Sequence, residues 1–284
     1  MERKLKALSI IAALSSVISA CAGIFCTGGS GTRTVDNIYG QRVVLYGDGI
    51  YANDSLLKAG ATKGTDTVII AVGLVLIAVL LFGRGRKAHI FIRSGLLLVI
   101  LYATTCLIMG MSFNRLFLLY VLQWGSSLFA FLISLYGILD AEVYDERIYE
   151  RHLKGTGIFM LIAGCSASVW LTFILPALVM GRPLATIETY TTEPTFAVDL
   201  AVILPAQLFC GVALLKKRKV GYKLAPVLLT LLAGVGACVI TQTIFQRSLG
   251  IVLPTSQMFG LVGSFVILGS VALALNARLL RFAR

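Results

Sequence analysis

The feature that most constrains this chain is a series of eight apolar stretches, each long enough for a helix that crosses a lipid bilayer. A spanning helix needs about 20 mostly apolar residues. Only 13% of the 284 residues are charged, about half the share found in soluble domains. The sequence therefore predicts a single domain, residues 1–284: an all-α, polytopic transmembrane bundle of eight spanning helices with the lipid bilayer as its partner. The stretches lie at residues 7–26, 66–83, 94–113, 116–139, 157–180, 196–215, 225–246 and 251–275.

The lysines and arginines predict how these helices are oriented. If the chain starts on the inner side and alternates, the inner segments hold 18 of the 25 basic residues. The three short outer loops then hold one arginine each, namely Arg115, Arg182 and Arg247. Because basic residues concentrate in cytoplasmic loops, we expect both termini to be cytoplasmic. The net charge of +12 follows from this bias, so we expect no nucleic acid as a partner.

The first apolar stretch has a second interpretation. A basic start followed by an apolar run and Ile18-Ser19-Ala20-Cys21 resembles a bacterial lipoprotein signal that is cleaved before Cys21. Cleavage would leave seven helices and an outer N-terminus. The apolar run continues through Cys26 and reaches full spanning length, which favours an uncleaved helix.

The outer loop at residues 27–65 is the one sizeable hydrophilic segment. Residues 41–46 predict a short strand, and residues 50–51 a return strand after a turn. Asn53 is a candidate cap for a short helix that Gly60 would end. We therefore expect a small structured cap over the outer face of the bundle.

The two halves of the chain, residues 1–140 and 155–284, have a similar order of segments. Each begins with a helix and an outer loop, followed by a helix that opens near an acidic residue, Asp66 or Asp199. Helix length alone produces part of this agreement. The order is also that of a four-plus-four duplication, of the kind frequent in transporters. The fourth and eighth helices add a glutamine each, Gln123 and Gln257.

Asp66 and Asp199 are the two carboxylates, of 13 acidic residues, that approach the lipid. Asp199 lies about four residues inside the sixth apolar stretch, and Asp66 marks the outer start of the second. An ionised group at membrane depth is costly and is a functional candidate by default. Arg115 lies in a short outer turn, at the right level to pair with either aspartate. The alternative is a carboxylate at a helix start, which the helix dipole favours.

Uncharged polar side chains concentrate in the same outer half of the bundle. Gln207 lies deeper, two residues after Pro205, where a helix loses a backbone hydrogen bond. Such side chains either bridge helices or line a cavity. Their concentration on one side predicts an outward-facing polar vestibule beneath the cap. Its candidate substrate- or ion-binding residues are Asp199, Arg115, Gln123, Gln242, Asp66 and Gln207.

Several chemistries lack the residues that they need. The six cysteines lie in apolar stretches without a CxxC pair, and the two histidines lie in hydrophilic loops. No lysine occupies a helix centre, and neither GxxxxGK[ST] nor GxSxG occurs. We therefore expect no metal and no cofactor. No catalytic residue can be assigned, which favours a role other than that of an enzyme.

Several short segments resemble a family of uncharacterised bacterial membrane proteins with about eight helices. They include LYGDGIY at residues 45–51, NRLFLLY at residues 114–120, the segment from Val198-Asp199-Leu200 to Pro205, and Gly221-Tyr222. The resemblance covers much of the chain. It implies a multi-pass protein of the bacterial inner membrane and nothing about its chemistry.

Three functions fit these observations. The first is a transport-like or solute-binding protein, in which Asp199 provides charge for a cation, a proton or a cationic group and Arg115 pairs with it. The second is a structural or accessory protein that presents its outer loop to an envelope partner. The third is a membrane enzyme acting on a lipid-linked substrate, for which no catalytic pair is found.

Overall fold

The computed structural model describes residues 2–83, 87–140, 144, 147–150, 153–252, 254–255 and 258–283. Within these residues, eight helices are long and apolar enough to cross a membrane. This confirms the predicted all-helical architecture with eight apolar helices of spanning length. The helices are α1 (Glu2–Phe25), α2 (Leu56–Phe82), α3 (Ala88–Gly110), α4 (Phe117–Asp140), α5 (Lys154–Val179), α6 (Pro194–Leu215), α7 (Lys219–Ser248) and α8 (Met258–Leu280).

Helix α7 organises the bundle, because it packs against α2, α3, α6 and α8. Around it, α1 packs against α2 and α4, α3 against α4, and α5 against α6. The backbones of α7 and α8 come close where two glycines face each other. A Cβ atom added at Gly236 would lie 2.9 Å from the Cα of Gly269. Small residues allow such close contacts between membrane helices.

Helices α5 and α6 both change their winding along their length. Helix α5 contains a 3₁₀ turn at Ala167–Trp170, and α6 contains a π-helical segment at Asp199–Ile203. In α6 the backbone N–H of Leu204 donates to the carbonyl of Asp199, five residues earlier. Pro205 follows directly, and a proline ring would clash with the carbonyl four residues before it. The wider π turn is a usual way for a helix to accommodate such a clash.

Residues 26–55 form the cap at one end of the bundle, which we call the cap side. The strands β1 (Arg33–Asp36) and β2 (Arg42–Leu45) pair in an antiparallel hairpin. The predicted return strand at residues 50–51 is wrong, because Gly49–Tyr51 form a 3₁₀ turn. Strand β2 pairs instead with β1, the strand before it in the chain. Asn37 organises the turn that connects the two strands. Its Oδ1 accepts hydrogen bonds from the backbone N–H groups of Tyr39 and Gln41, as in other Asx turns.

Helix α2 begins at Leu56, earlier than its hydropathy predicted. Its N-cap is Ser55 and not Asn53, because the Ser55 Oγ accepts a hydrogen bond from the backbone N–H of Lys58 at 3.2 Å. Gly60 does not end the helix; it lies against the α7 backbone at Gln246. The first turns of α2 contain polar and small residues, so their hydropathy resembles that of a loop.

The loops predicted to share one face do meet on the cap side. The side chain of Asp54 accepts a hydrogen bond from the backbone N–H of Ser112, which follows α3, at 2.8 Å. The side chain of Asn37 donates to the carbonyl of Glu188, which precedes α6, at 2.8 Å. The direction in which the cap side faces stays a prediction, as does the duplication. Gln257 lies outside the described residues.

Candidate functional site

A cavity of about 290 Å³ lies in the half of the bundle nearest the cap. Each of the eight long helices contributes at least one residue to its wall. The volume is close to the lower end of the range of roughly 300–1,000 Å³ for small-molecule pockets. The cavity therefore has room for a small organic solute.

The cavity brings together four of the six residues predicted as a site. Asp66, Asp199, Gln123 and Gln242 all line it, although they belong to four different helices. The other two lie elsewhere. Gln207 is buried against Gly164 of α5, and its amide nitrogen and oxygen have no hydrogen-bond partner in the described part of the chain.

The predicted pairing of Arg115 with an aspartate is wrong. Arg115 is exposed in the turn before α4. Among the described residues, the one ion pair joins Lys58 to Glu193. The aspartates that Arg115 was expected to neutralise are instead held by uncharged aromatic side chains.

Asp199 is buried and accepts a hydrogen bond at each carboxylate oxygen. The Tyr102 hydroxyl donates to Oδ1 at 2.9 Å, and the Trp170 indole N–H donates to Oδ2 at 2.7 Å. The Trp170 ring is stacked against Phe196 and Phe265, at centroid distances of 4.4 and 6.0 Å. Because an indole can only donate, the arrangement suits an ionised carboxylate. It provides no positive charge.

Asp66 lies well inside α2, so its predicted position at the start of that helix is wrong. Its Oδ2 accepts a hydrogen bond from the Tyr51 hydroxyl of the cap at 2.6 Å. Burial raises the pKa of Tyr51 well above its ordinary value, and the nearby Asp66 raises it further. Tyr51 therefore keeps its proton and remains a donor. Gly23 of α1 leaves the space for this pair, because a Cβ atom there would collide with both side chains.

The glutamines of the cavity also bridge helices, as the alternative interpretation of their role proposed. Gln123 donates to the Thr104 hydroxyl at 2.6 Å and accepts from the Ser19 hydroxyl at 2.7 Å, which joins α4 to α3 and α1. Gln242 donates to the Thr65 hydroxyl at 2.8 Å, which joins α7 to α2. These residues thus both line the cavity and hold its wall together.

Above the cavity, the start of α2 is fastened to the segment that precedes α6. Buried Lys58 forms an ion pair with Glu193, and its Nζ lies 4.2 Å from the centre of the Tyr190 ring. The Ser55 hydroxyl donates to the Glu188 carboxylate. Burial raises the pKa of both glutamates, and the charge of Lys58 opposes this effect. Because Tyr190 also lines the cavity, these contacts form part of its cover.

The charged side chains among the described residues that line the cavity are all acidic. Two carboxylates line it, and none of its lining residues in the described part of the chain is a lysine, arginine or histidine. Two cysteines, Cys106 and Cys238, also line it. The described residues contain no cluster of three or more His, Cys, Asp or Glu side chains that could hold a metal ion.

Sequence reasoning missed the aromatic partners of the aspartates and the Lys58–Glu193 pair. The available signal was a tyrosine and a tryptophan inside apolar stretches, Tyr102 and Trp170. Buried aromatic side chains with polar tips usually find a hydrogen-bond partner, but a single sequence does not say which one. No family model, no curated protein and no solved structure is significantly similar to this chain.

Proposed function

We propose that this chain is a transport-like membrane protein that binds a small cationic solute in the cavity beneath the cap. The observation that carries the proposal is the presence of two buried carboxylates, Asp66 and Asp199, in a cavity that no described basic residue lines. A buried charge is normally paired, and a cationic solute would supply the missing partner.

Asp199 is the principal anchor in this proposal. Its two hydrogen bonds come from neutral donors, so the negative charge is oriented without being cancelled. Asp66 has Lys63 one helical turn away on α2, and that charge acts on it. The volume of the cavity favours a molecule over a bare proton, because a proton carrier needs no space of about 290 Å³.

The cavity cysteines allow a direct test of the charge preference. In a background where Cys21, Cys26, Cys165 and Cys210 are replaced, Cys106 and Cys238 can be labelled with two methanethiosulfonates of similar size. One carries a trimethylammonium group and the other a sulfonate. After correction for their rates with a free thiol in solution, we expect the cationic reagent to react faster by about tenfold or more, because the carboxylates attract it.

Substitutions test whether the aspartates cause the preference for the cationic reagent. Asp199→Asn should reduce the ratio of the two rates towards one, and Asp66→Asn should reduce it in part. Asp36→Asn is the matched control, because Asp36 is an exposed carboxylate of β1, and it should leave the ratio unchanged. Equal rates in the unmodified cavity, or no reaction with either reagent, would overturn the proposal.

A further inference from the structure

Six of the hydroxyl groups that line the cavity share one property: each donates its proton to another group of the protein. Threonine hydroxyls on α2, α3 and α7 donate to backbone carbonyls of their own helices. The Ser19 hydroxyl donates to Gln123, and the Tyr102 hydroxyl donates to Asp199. The threonines are Thr62, Thr65, Thr104 and Thr243.

One N–H group on each of three nitrogen donors is engaged in the same way. The single N–H of Trp170 donates to Asp199. The amide nitrogen of Gln242 donates to Thr65, and that of Gln246 lies 3.4 Å from the carbonyl oxygen of Leu57. These O–H and N–H groups therefore donate to other side chains of the protein and to its backbone.

Acceptor positions remain for a ligand at the two carboxylates and at two glutamine oxygens. A carboxylate offers about four acceptor positions, and a single described residue donates to Asp66 and two donate to Asp199. No described residue donates to the Oε1 atom of Gln242 or Gln246. The cavity thus combines negative charge with unused acceptors, and its wall includes the apolar side chains of Ile69, Val99, Val235 and Val239.

We infer that the solute is a primary ammonium ion carried on a short apolar body. This inference rests on the proposed function and narrows it to one class of cation. An ammonium with N–H groups satisfies both the charge and the unused acceptors, whereas a trimethylated ammonium satisfies the charge alone. A metal ion prefers several ligands, and the described residues contain no cluster of three or more His, Cys, Asp or Glu side chains that could hold one.

Protection of the cavity cysteines tests this inference. The probes are n-butylammonium, n-butyltrimethylammonium and 1-butanol, added at neutral pH before the cationic methanethiosulfonate. We expect n-butylammonium to halve the labelling rate at a concentration about tenfold lower than n-butyltrimethylammonium, because charge-assisted hydrogen bonds are worth at least that factor. The alcohol should not protect.

The outcomes separate this inference from the proposed function. Equal protection by the two cations would overturn the requirement for N–H groups, although the preference for a cationic over an anionic reagent would still stand. Protection by none of the probes, or by the alcohol as well, would also overturn the inference. Asp199→Asn should abolish protection by n-butylammonium, and Asp36→Asn should keep it. If Asp199→Asn does not fold, the comparison of probes in the native cavity remains decisive.

Discussion

At the scale of single residues, the cap side gathers three carboxylates around one lysine. Asp54, Glu188 and Glu193 are each withdrawn from water, and the charge of Lys58 acts on all three. Asp54 is only 1% exposed. One of its oxygens accepts a hydrogen bond from Ser112, and the other has no partner within the described chain. Burial raises the pKa of Asp54 to about 6.

This environment makes the stability of the protein depend on pH through Asp54. The folded protein holds the Asp54 proton more tightly than the unfolded chain does. The contribution of Asp54 to the free energy of unfolding is therefore most favourable in acid, and it is lost as pH rises from about 4 through 6. We expect Asp54→Asn to be more stable than the native protein at pH 8, by about 3 kcal/mol at most. The melting temperature of the purified protein in detergent, measured between pH 4 and pH 8, checks this.

The pH profile distinguishes this effect from a general change in stability. The advantage of Asp54→Asn should fall to about half at pH 5 and continue to shrink towards pH 4. Asp36→Asn, at an exposed carboxylate, should show no such profile. An advantage that grows as the pH is lowered would contradict the assignment.

At the scale of helices, the crossing of α7 and α8 depends on the absence of side chains. A Cβ atom at Gly236 or at Gly269 would lie about 3 Å from the Cα atom of the other glycine. We expect Gly236→Ala and Gly269→Ala each to lower stability, because overpacking costs about 1–3 kcal/mol and exceeds the gain in helix propensity of up to about 1 kcal/mol. Thermal unfolding in detergent measures the change.

Helix α4 provides the matched control for this pair. A Cβ atom at Gly137 would meet no atom within 4 Å, so Gly137→Ala should keep the stability of the native protein or raise it. If the alanines at positions 236 and 137 had the same effect, close packing at the crossing would not be the cause.

The same scale shows which parts of the fold a single sequence can predict. Composition and length predicted the eight helices, because a spanning helix must be apolar along most of its length. They did not predict the start of α2, since Ser55 caps a first segment that contains two lysines. They also did not predict the π-helical segment of α6. Pro205 signals a disturbance, but the form that the backbone takes depends on the helices packed around it.

At the scale of the whole molecule, the orientation of the bundle can be measured with single cysteines. Cys26 is exposed at the end of α1 on the cap side, and Lys216 is exposed between α6 and α7 at the opposite end. We expect a membrane-impermeant maleimide to label Cys26 in intact cells, in a background without the other cysteines. The reason for this expectation is the charge bias of the loops, which predicts that the cap side faces outwards.

The control for orientation is Lys216→Cys in a background without native cysteines. This position should react only after the membrane is permeabilised. If Lys216→Cys were labelled in intact cells and Cys26 were protected, the cytoplasmic placement of both termini would be wrong.

The whole molecule also explains why the site could be predicted only in part. The sequence identified Asp66 and Asp199 because charges are rare at membrane depth. Their convergence depends on α2 and α6 both packing against α7, which no local pattern records. The expected role of Arg115 failed for a related reason. Similar depth along the bundle places two residues at one level, but it does not place them on facing surfaces.

The hydrogen bond between Tyr51 and Asp66 fastens the cap to the wall of the cavity. One partner belongs to the cap and the other to the wall of the cavity. Residues 26–55 therefore cannot be deleted, or exchanged for the loop of another protein, without affecting the cavity. A chimera that replaced the cap without providing a hydrogen-bond donor for Asp66 would change the cavity, even though every spanning helix was left intact.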